Sequence, residues 1–406
     1  MTLRAPPLAL YVHLPWCVRK CPYCDFNSHA VPAAGLPERA YLAALLDDLE
    51  FAARDCAGRE IVSVFFGGGT PSLFAAESIG RILERAGNLF RAAPDLEVTL
   101  EANPGTVERG RFADYRSVGV SRISLGAQSF DDERLAALGR IHSSRETRAA
   151  VEELHAAGLD NFNLDLMYAL PQQSLEGALA DLEQALGLGP AHVSHYQLTL
   201  EPGTAFERRP PPLPDDEAAF AMQEASASRL AAAGFRQYEV SAWSAPGREC
   251  RHNLNYWHFG DYLGIGAGAH GKLTHPLADA VVRTVRVRNP GRYLAAPAPE
   301  ARVEDTRRVG ADDLAFEFFL NVLRLVDGFS AAGFELRTGL PWSSVAGSVA
   351  SAESRGLLRA DPPDRWAPTP LGRRFLNDLQ AVFLPDPTAL AANTDRGGLA
   401  LPTRIG

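Results

Sequence analysis

No run of apolar residues in this chain approaches the roughly 18 of a membrane-spanning helix. The N-terminus, MTLRAPPLAL, has too little apolar length for a secretory signal. Basic charge is not in excess. Lys and Arg number 40 against 49 Asp and Glu, a formal net charge of -9, which argues against a nucleic-acid binder. Cysteine is scarce, at five in 406 residues. Nothing suggests export, so these thiols are not expected to pair as disulfides. A soluble cytoplasmic protein is expected, in a reducing compartment that keeps thiolates available. What remains is ample material for a fold. Apolar residues make up 46%, and 35 glycines and 29 prolines suit many turns. The length allows one large domain plus a small one.

Helical and strand periodicities alternate along the first half. Leu8–Leu14 reads as a strand, and Pro37–Arg54 as a helix with Pro37 in its first turn. Strands follow at Ile61–Phe66, Glu97–Ala102, Arg122–Leu125, Asn161–Tyr168 and Val193–Leu200. Helices are expected at Ala75–Phe90, Val107–Val118, Arg145–Ala157, Leu175–Leu186 and Asp215–Ala233. Six strand–helix units imply parallel strands joined by crossover helices. A complete (β/α)8 barrel needs two more units, and the pattern gives out after about Gly234, with Arg236–Trp243 as one further strand. An α/β open partial barrel of six units is therefore expected over 1–243. A glycine-rich segment over 244–290 would close its mouth. A small helical, winged-helix-like domain is expected over 291–384, with an apolar helix at Asp312–Leu325. Within it, Leu357–Leu384 reads as a strand, a wing-like turn and a final helix. Arg373 and Arg374 do not make the basic face of a DNA binder. Residues 385–406 are polar and glycine-rich and read as a disordered tail.

Three of the five cysteines, Cys17, Cys21 and Cys24, fall within YVHLPWCVRKCPYCDF, spaced C-x3-C-x2-C. A structural zinc site wants four closed ligands. Three thiolates on a short loop instead suit a [4Fe–4S] cluster with one iron open. An open iron can take the amino and carboxyl groups of S-adenosylmethionine. Further landmarks lie at or near strand ends, where barrels of this type place reactive groups. FFGGGTPS follows the second strand, and its exposed backbone N–H groups could meet a carboxylate or a polar cofactor edge. Glu101 lies in TLEANPG, Gln128 in SLGAQSF and Arg140 in ALGRIH. Asp165 sits inside an apolar strand and needs a polar partner.

The cysteine stretch, with Tyr23 before the last cysteine, resembles the radical S-adenosylmethionine superfamily. Its wording is similar to the oxygen-independent coproporphyrinogen III oxidase-like family, and within it to the heme chaperone branch. The likeness runs from about Leu8 to Leu384. It implies a [4Fe–4S] cluster on Cys17, Cys21 and Cys24. It implies S-adenosylmethionine contacts at Tyr11, Tyr23, Gly68, Gly69, Thr70, Glu101, Gln128, Arg140 and Asp165. It also implies an external electron donor for the cluster.

Two stretches separate the branches. The coproporphyrinogen dehydrogenases carry a further cysteine two residues after the last cluster ligand. Here that position is Phe26. CRHNLNYW, Cys250–Trp257, matches the chaperone pattern H-N-x-x-Y-W at His252, Asn253, Tyr256 and Trp257. Histidine is a common axial ligand of heme iron, and Tyr256 with Trp257 offer apolar surface to a porphyrin. Cys250 is a second ligand or a buried apolar thiol, and His270 in YLGIGAGAHGK a ligand or a turn residue. Cys56 has no assigned role. The expected function is a heme chaperone that hands heme to an acceptor hemoprotein, with peripheral membrane contact during delivery and no nucleic acid involved. The competing reading is oxidation of coproporphyrinogen III to protoporphyrinogen IX.

Overall fold

The computed structural model describes residues 3–105, 111–361 and 363–385. Strand β1, Leu8–Leu14, is buried on both faces, as an apolar run at the centre of a parallel sheet should be. Five more strands follow in sequence order: β2 Glu60–Gly68, β3 Arg91–Ala102, β4 Arg122–Gln128, β5 Phe162–Tyr168 and β6 His192–Gln197. Each pairs parallel with its predecessor. The connecting helices are α1 Glu38–Ala53, α2 Ala76–Leu89, α3 Phe112–Ser117, α4 Asp132–Ala137, α5 Ser144–Ala156 and α6 Leu175–Gly187. After β6 come the short α7, Ala205–Arg208, and the long α8, Asp216–Ala232. Side-chain caps fix several starts. Asp131, Ser143, Ser174 and Asp215 each accept a backbone N–H of the first turn. The helices' apolar stripes and the inner strand residues share one core. This is the open six-unit α/β barrel that the alternation implied. The helix expected at Val107–Val118 is seen as Phe112–Ser117, and residues 106–110 lie outside the described ones.

Three expectations need correction. Arg236–Trp243 is not one strand. The chain reverses after Glu239 to give β7, Arg236–Glu239, and β8, Ala242–Ser244, both antiparallel at the β6 edge. The glycine-rich segment is not a loop across the mouth. After α9, Arg251–Trp257, it forms β9, Asp261–Ile265, which pairs parallel with the free edge of β1. Then β10 His270–His275, β11 Ala280–Arg286 and β12 Val303–Arg308 extend the sheet antiparallel, to twelve strands among the described residues. Gly264 makes this possible, because a Cβ there would collide with the His270 backbone. Last, the second domain does not start at 291. Helix α10, Pro290–Ala295, packs on α1, and Tyr293 donates to Asp48 at 2.7 Å. The second core is built mainly from residues after β12, with Leu3, Phe259 and Val281 joining it.

That second core gathers Phe318, Phe319, Phe329, Phe334 and Phe383. It lies among α11 Ala311–Val322, α12 Ala331–Thr338, α13 Ala346–Ser354, α14 Pro370–Arg374 and α15 Leu376–Ala381. A three-stranded sheet, ordered β13 Phe329–Ser330, β15 Arg365–Pro368 and β14 Leu358–Asp361, supplies the wing. The tail from 386 lies outside the described residues. No helix among the described residues is long and apolar enough to cross a membrane.

Buried ion pairs tie the added strands to the barrel. Asp261, fully buried, accepts from Lys272 at 3.1 Å, Arg59 at 2.9 Å and the Thr274 hydroxyl at 2.8 Å. Burial lowers the Lys272 pKa to about 8. Removing the shared carboxylate leaves buried cations unpaired. Asp261→Ala should therefore cost about 3–5 kcal/mol at neutral pH. Urea unfolding should show a lower midpoint with an unchanged slope.

Candidate functional site

The cysteine loop leaves β1 at its C-terminal end and is pinned at both sides. Trp16–Cys17 pairs parallel with His29–Ala30, and Val31 N donates to the Cys17 carbonyl at 2.9 Å. Inside the loop, Cys24 N reaches the Cys21 carbonyl at 3.2 Å, and Lys20 Nζ the Phe26 carbonyl at 2.8 Å. The three thiols are free and half-buried. Burial raises the Cys17 pKa, a Thr70 hydrogen bond opposes it, and Cys24 and Cys21 raise it further. Burial likewise raises Cys24, and Cys21 adds to it. Mutual repulsion of this kind means that the three sulfurs share one neighbourhood.

The donor set fits an iron–sulfur cube. Among the described residues no three His, Cys, Asp or Glu gather around a single ion position. A cube takes each thiolate on a different iron, so its donors surround a volume instead of a point. Cys21, Thr70, Asn103 and Arg140 line a cleft of about 70 Å³ beside the loop. Arg140 donates to Cys21 Sγ at 3.6 Å and to the Gly126 carbonyl at 2.9 Å, and it also bonds Asn103. A guanidinium here offsets thiolate charge and can offer a fork to a carboxylate. Gly139, at φ 70°, lets its turn press on Pro22, where a Cβ would come within 2.7 Å of the ring.

The glycine triplet works differently from the expectation. The N–H groups of Gly68, Gly69 and Thr70 are not free. Gly68 N donates to Glu101 at 3.1 Å, Gly69 N to the Leu14 carbonyl at 2.9 Å and Thr70 N to the Trp16 carbonyl at 2.8 Å. The glycines matter for close approach. Gly68 has φ 113°, and a Cβ on it would lie 2.5 Å from the His13 ring. At Gly69 a Cβ would lie 2.6 Å from the Trp16 carbonyl oxygen. The triplet thus buttresses the base of the cysteine loop.

Polar side chains face one another inside the barrel. Tyr11 donates to or accepts from His13 Nδ1 at 3.0 Å and stacks on Phe65. Burial, then Glu101, pushes the Tyr11 pKa well up. Burial, then Asp165, raises the Glu101 pKa to about 8. Asp165 accepts from Asn163 at 2.8 Å and Ser124 at 3.3 Å, and burial raises its pKa too. Gln128 accepts from the Tyr196 hydroxyl at 3.0 Å and has φ 68°. A left-handed backbone on a residue with a side chain is a strained position of the sort that marks working sites. Tyr23 lies against Phe206, with Arg140 and the Cys21 and Cys24 thiols around it.

Helix α9 closes the opposite, floor end. Glu97 accepts from the N–H groups of Arg251 at 3.0 Å and His252 at 3.3 Å, and from the Cys250 thiol at 3.6 Å. Burial pushes Cys250 and Cys56 up to about 12, so both remain neutral thiols. His252 is 2% exposed. Its Nδ1 meets Ser63 Oγ at 2.9 Å, Phe65 stacks on it and Tyr256 abuts it edge-on. Its Nε2 is buried without a partner. Trp257 turns away from this pair, with the Arg324 guanidinium 4.3 Å over its ring. The three motif residues do not share one face. His270 starts β10 and is exposed.

A radical SAM superfamily model matches residues 11–185, and a HemN C-terminal domain model matches 309–375. The heme chaperone HemW of Escherichia coli is 47% identical over 387 residues, covering 94% of this chain and 99% of its own. That of Haemophilus influenzae is 46% identical over 385 residues, with the same coverage. The chain belongs to the HemW/HemN family of radical SAM proteins. A bovine mitochondrial radical S-adenosyl methionine domain-containing protein 1 is 40% identical over 283 residues, 69% of this chain and 64% of its own. In fold, the family member resembles E. coli coproporphyrinogen III oxidase HemN, with a TM-score of 0.77 at 21% identity, covering 93% of this chain and 90% of that one. Membership in the radical SAM superfamily implies, in general, binding of an iron–sulfur cluster and S-adenosylmethionine.

The sequence reading passed over His13, Asn103, Tyr196 and Arg122. His13 and Asn103 stand two residues after Tyr11 and Glu101. Alternate strand residues share a face, so that spacing was an available signal. Asn103 donates to Thr70 at 2.8 Å as well as meeting Arg140. Arg122 is buried, and burial opposes its charge. Cys250, Glu97, Tyr238 and Asp165 nonetheless hold its pKa above the ordinary value.

Two outcomes check this site. Anaerobically reconstituted protein should hold about four irons, and Cys21→Ala should lose most of them. One equivalent of zinc in place of iron would contradict the assignment. Glu101 is mostly protonated at neutral pH, because its pKa stands near 8. If its carboxylate accepts from the amino N–H groups or ribose hydroxyls of the cofactor, binding favours the ionised form. Affinity for S-adenosylmethionine should then rise with pH up to about 8 and level off. Calorimetry on Glu101→Gln should show the pH slope gone.

Proposed function

We propose that this protein is a heme chaperone. It binds heme, carries a [4Fe–4S] cluster with S-adenosylmethionine and passes heme to an acceptor hemoprotein. The observation that carries the reading is full-length similarity to HemW combined with Phe26 beside the cluster loop. A phenyl ring can neither donate a proton nor carry a thiolate charge, so the chemical role of a cysteine there is lost. Phe26 is 46% exposed, so it is not a packing residue either.

Cys17, Cys21 and Cys24 would hold the cluster, and the absence of a fourth thiol in the loop leaves one iron for the cofactor. When bound and reduced by an external donor, the cluster would supply the electron for cleaving the sulfonium carbon–sulfur bond, with methionine as the leaving fragment. Tyr11, Glu101, Gln128, Arg140 and Asp165 would orient the cofactor, with Tyr23 beside the loop and Gly68, Gly69 and Thr70 keeping it in place. Likeness in fold to HemN supports the second reading, coproporphyrinogen III oxidation.

Reconstituted protein with S-adenosylmethionine and reductant should leave coproporphyrinogen III unchanged. Heme titration of the same sample should give a Soret shift. Protoporphyrinogen formation would replace the chaperone reading with the oxidase.

A further inference from the structure

A second concavity lies outside the barrel mouth. It is a cleft of about 450 Å³ between α9 and the C-terminal domain. That volume falls in the range of about 300–1,000 Å³ usual for ligand pockets. Its walls are apolar: Leu254 from α9, Phe318 and Val322 from α11, Phe329 from β13 and Leu336 from α12. Leu336 is 40% exposed, an aliphatic side chain left facing the opening. The charged groups that line it are of one sign: Arg251, Arg337 and Arg365, together with the His258 imidazole. In a chain of net charge -9 this is a local reversal.

These groups differ in availability. Arg251 is engaged with Asp95, and Arg365 donates to the Asp327 carbonyl at 3.0 Å. Arg337 has no hydrogen-bond or ion-pair partner among the described residues. Burial lowers its pKa, and the Asp261 carboxylate offsets this only in part. His258 caps the C-terminal end of α9 and is exposed, one residue beyond the HNLNYW run. Burial and then the Arg337 and Arg365 charges lower its pKa, so it offers a neutral ring at neutral pH.

An apolar slot with one imidazole and unpartnered guanidinium charge suits a flat, apolar dianion that carries a metal. We propose that heme is seated in this cleft, with the His258 imidazole on the iron and Arg337 and Arg365 facing the propionates. This rests on the heme-binding reading above and gives it a location. His252 is less suited to the task. Its ring is enclosed by Phe65, Tyr256 and Ser63, and a macrocycle could reach it only by unpacking the barrel floor.

The test is heme titration of the full-length, reconstituted protein, followed at the Soret band. His258→Ala should weaken binding at least tenfold and move the band. His258→Cys should restore binding with a thiolate-type band, a readout that loss of folding would not give. Arg337→Ala should weaken heme and iron-free protoporphyrin alike, whereas His258→Ala should affect only heme. His252→Ala should leave the band in place. Absence of heme binding by the unmodified protein would end the chaperone reading and this location together. Binding with an unchanged band in both His258 variants would overturn the location alone.

Discussion

The site depends on one contact between two backbones. Where β1 and β2 end, Gly69 and Thr70 donate to the carbonyls of Leu14 and Trp16. No Cβ fits at Gly68 or Gly69. This contact sets the height of the cysteine loop above the sheet. Without it, three thiols on a sixteen-residue stretch would have no fixed relation to the strand ends. Two anchors complete the loop: the Trp16–Cys17 pairing with His29–Ala30, and the Asn27 side chain, which donates to the carbonyls of Ala267 and Arg288 at 2.9 Å each. The last of these explains why the glycine-rich segment matters to a cluster it does not cover. Its turn at Gly266 and Gly268 brings the Ala267 carbonyl beside the loop, and the segment after β11 brings that of Arg288.

Charge inside the barrel is arranged by layer. Arg122, Glu97, His192 and Asn163 lie low, near the strand starts. Asp165 and Glu101 lie above them, and Arg140 sits at the mouth against Cys21. Without a ligand the two carboxyls repel each other in a poorly solvated space, so Glu101 holds its proton. A cation placed between them would remove that conflict. The lumen is therefore prepared for positive charge below a loop prepared for iron.

The parallel strands were readable because burial on both faces leaves near-continuous apolar runs such as Leu8–Leu14. The helices were readable from their apolar spacing and caps. The antiparallel extension was not, because β11 and β12 carry arginines at Arg283, Arg286, Arg307 and Arg308 that hide the strand pattern. Those arginines are satisfied by distant partners, as Arg283 is by Glu317 at 2.7 Å and Arg286 by Asp48 at 2.8 Å. Pairings over such separations leave no local trace. The cysteines and strand-end residues were legible as motifs. That the triplet's N–H groups are occupied, and that Trp257 parts company with His252, are tertiary facts. A motif written as adjacent letters cannot show which way a seven-residue helix turns each side chain.

Strand β2 links the two ends of the molecule. Its Ser63 and Phe65 touch His252 on α9, and its last glycines hold the cysteine loop. Five residues of strand separate Ser63 from Gly68, a span of roughly 16 Å. The cleft beyond α9, which Val62 also lines, is therefore separated from the cysteine loop by about that span, with Tyr11, Phe65 and His252 packed between. Direct contact between a ligand in the cleft and an open iron is ruled out by this geometry. Any influence of the cluster on the cleft must pass through the floor, where Glu97 accepts from the N–H groups of Arg251 and His252. His252 Nε2 is buried without a partner, but its Nδ1 and backbone N–H are held by Ser63 and Glu97. Any displacement of α9 would therefore strain these bonds while moving His258 at the helix end.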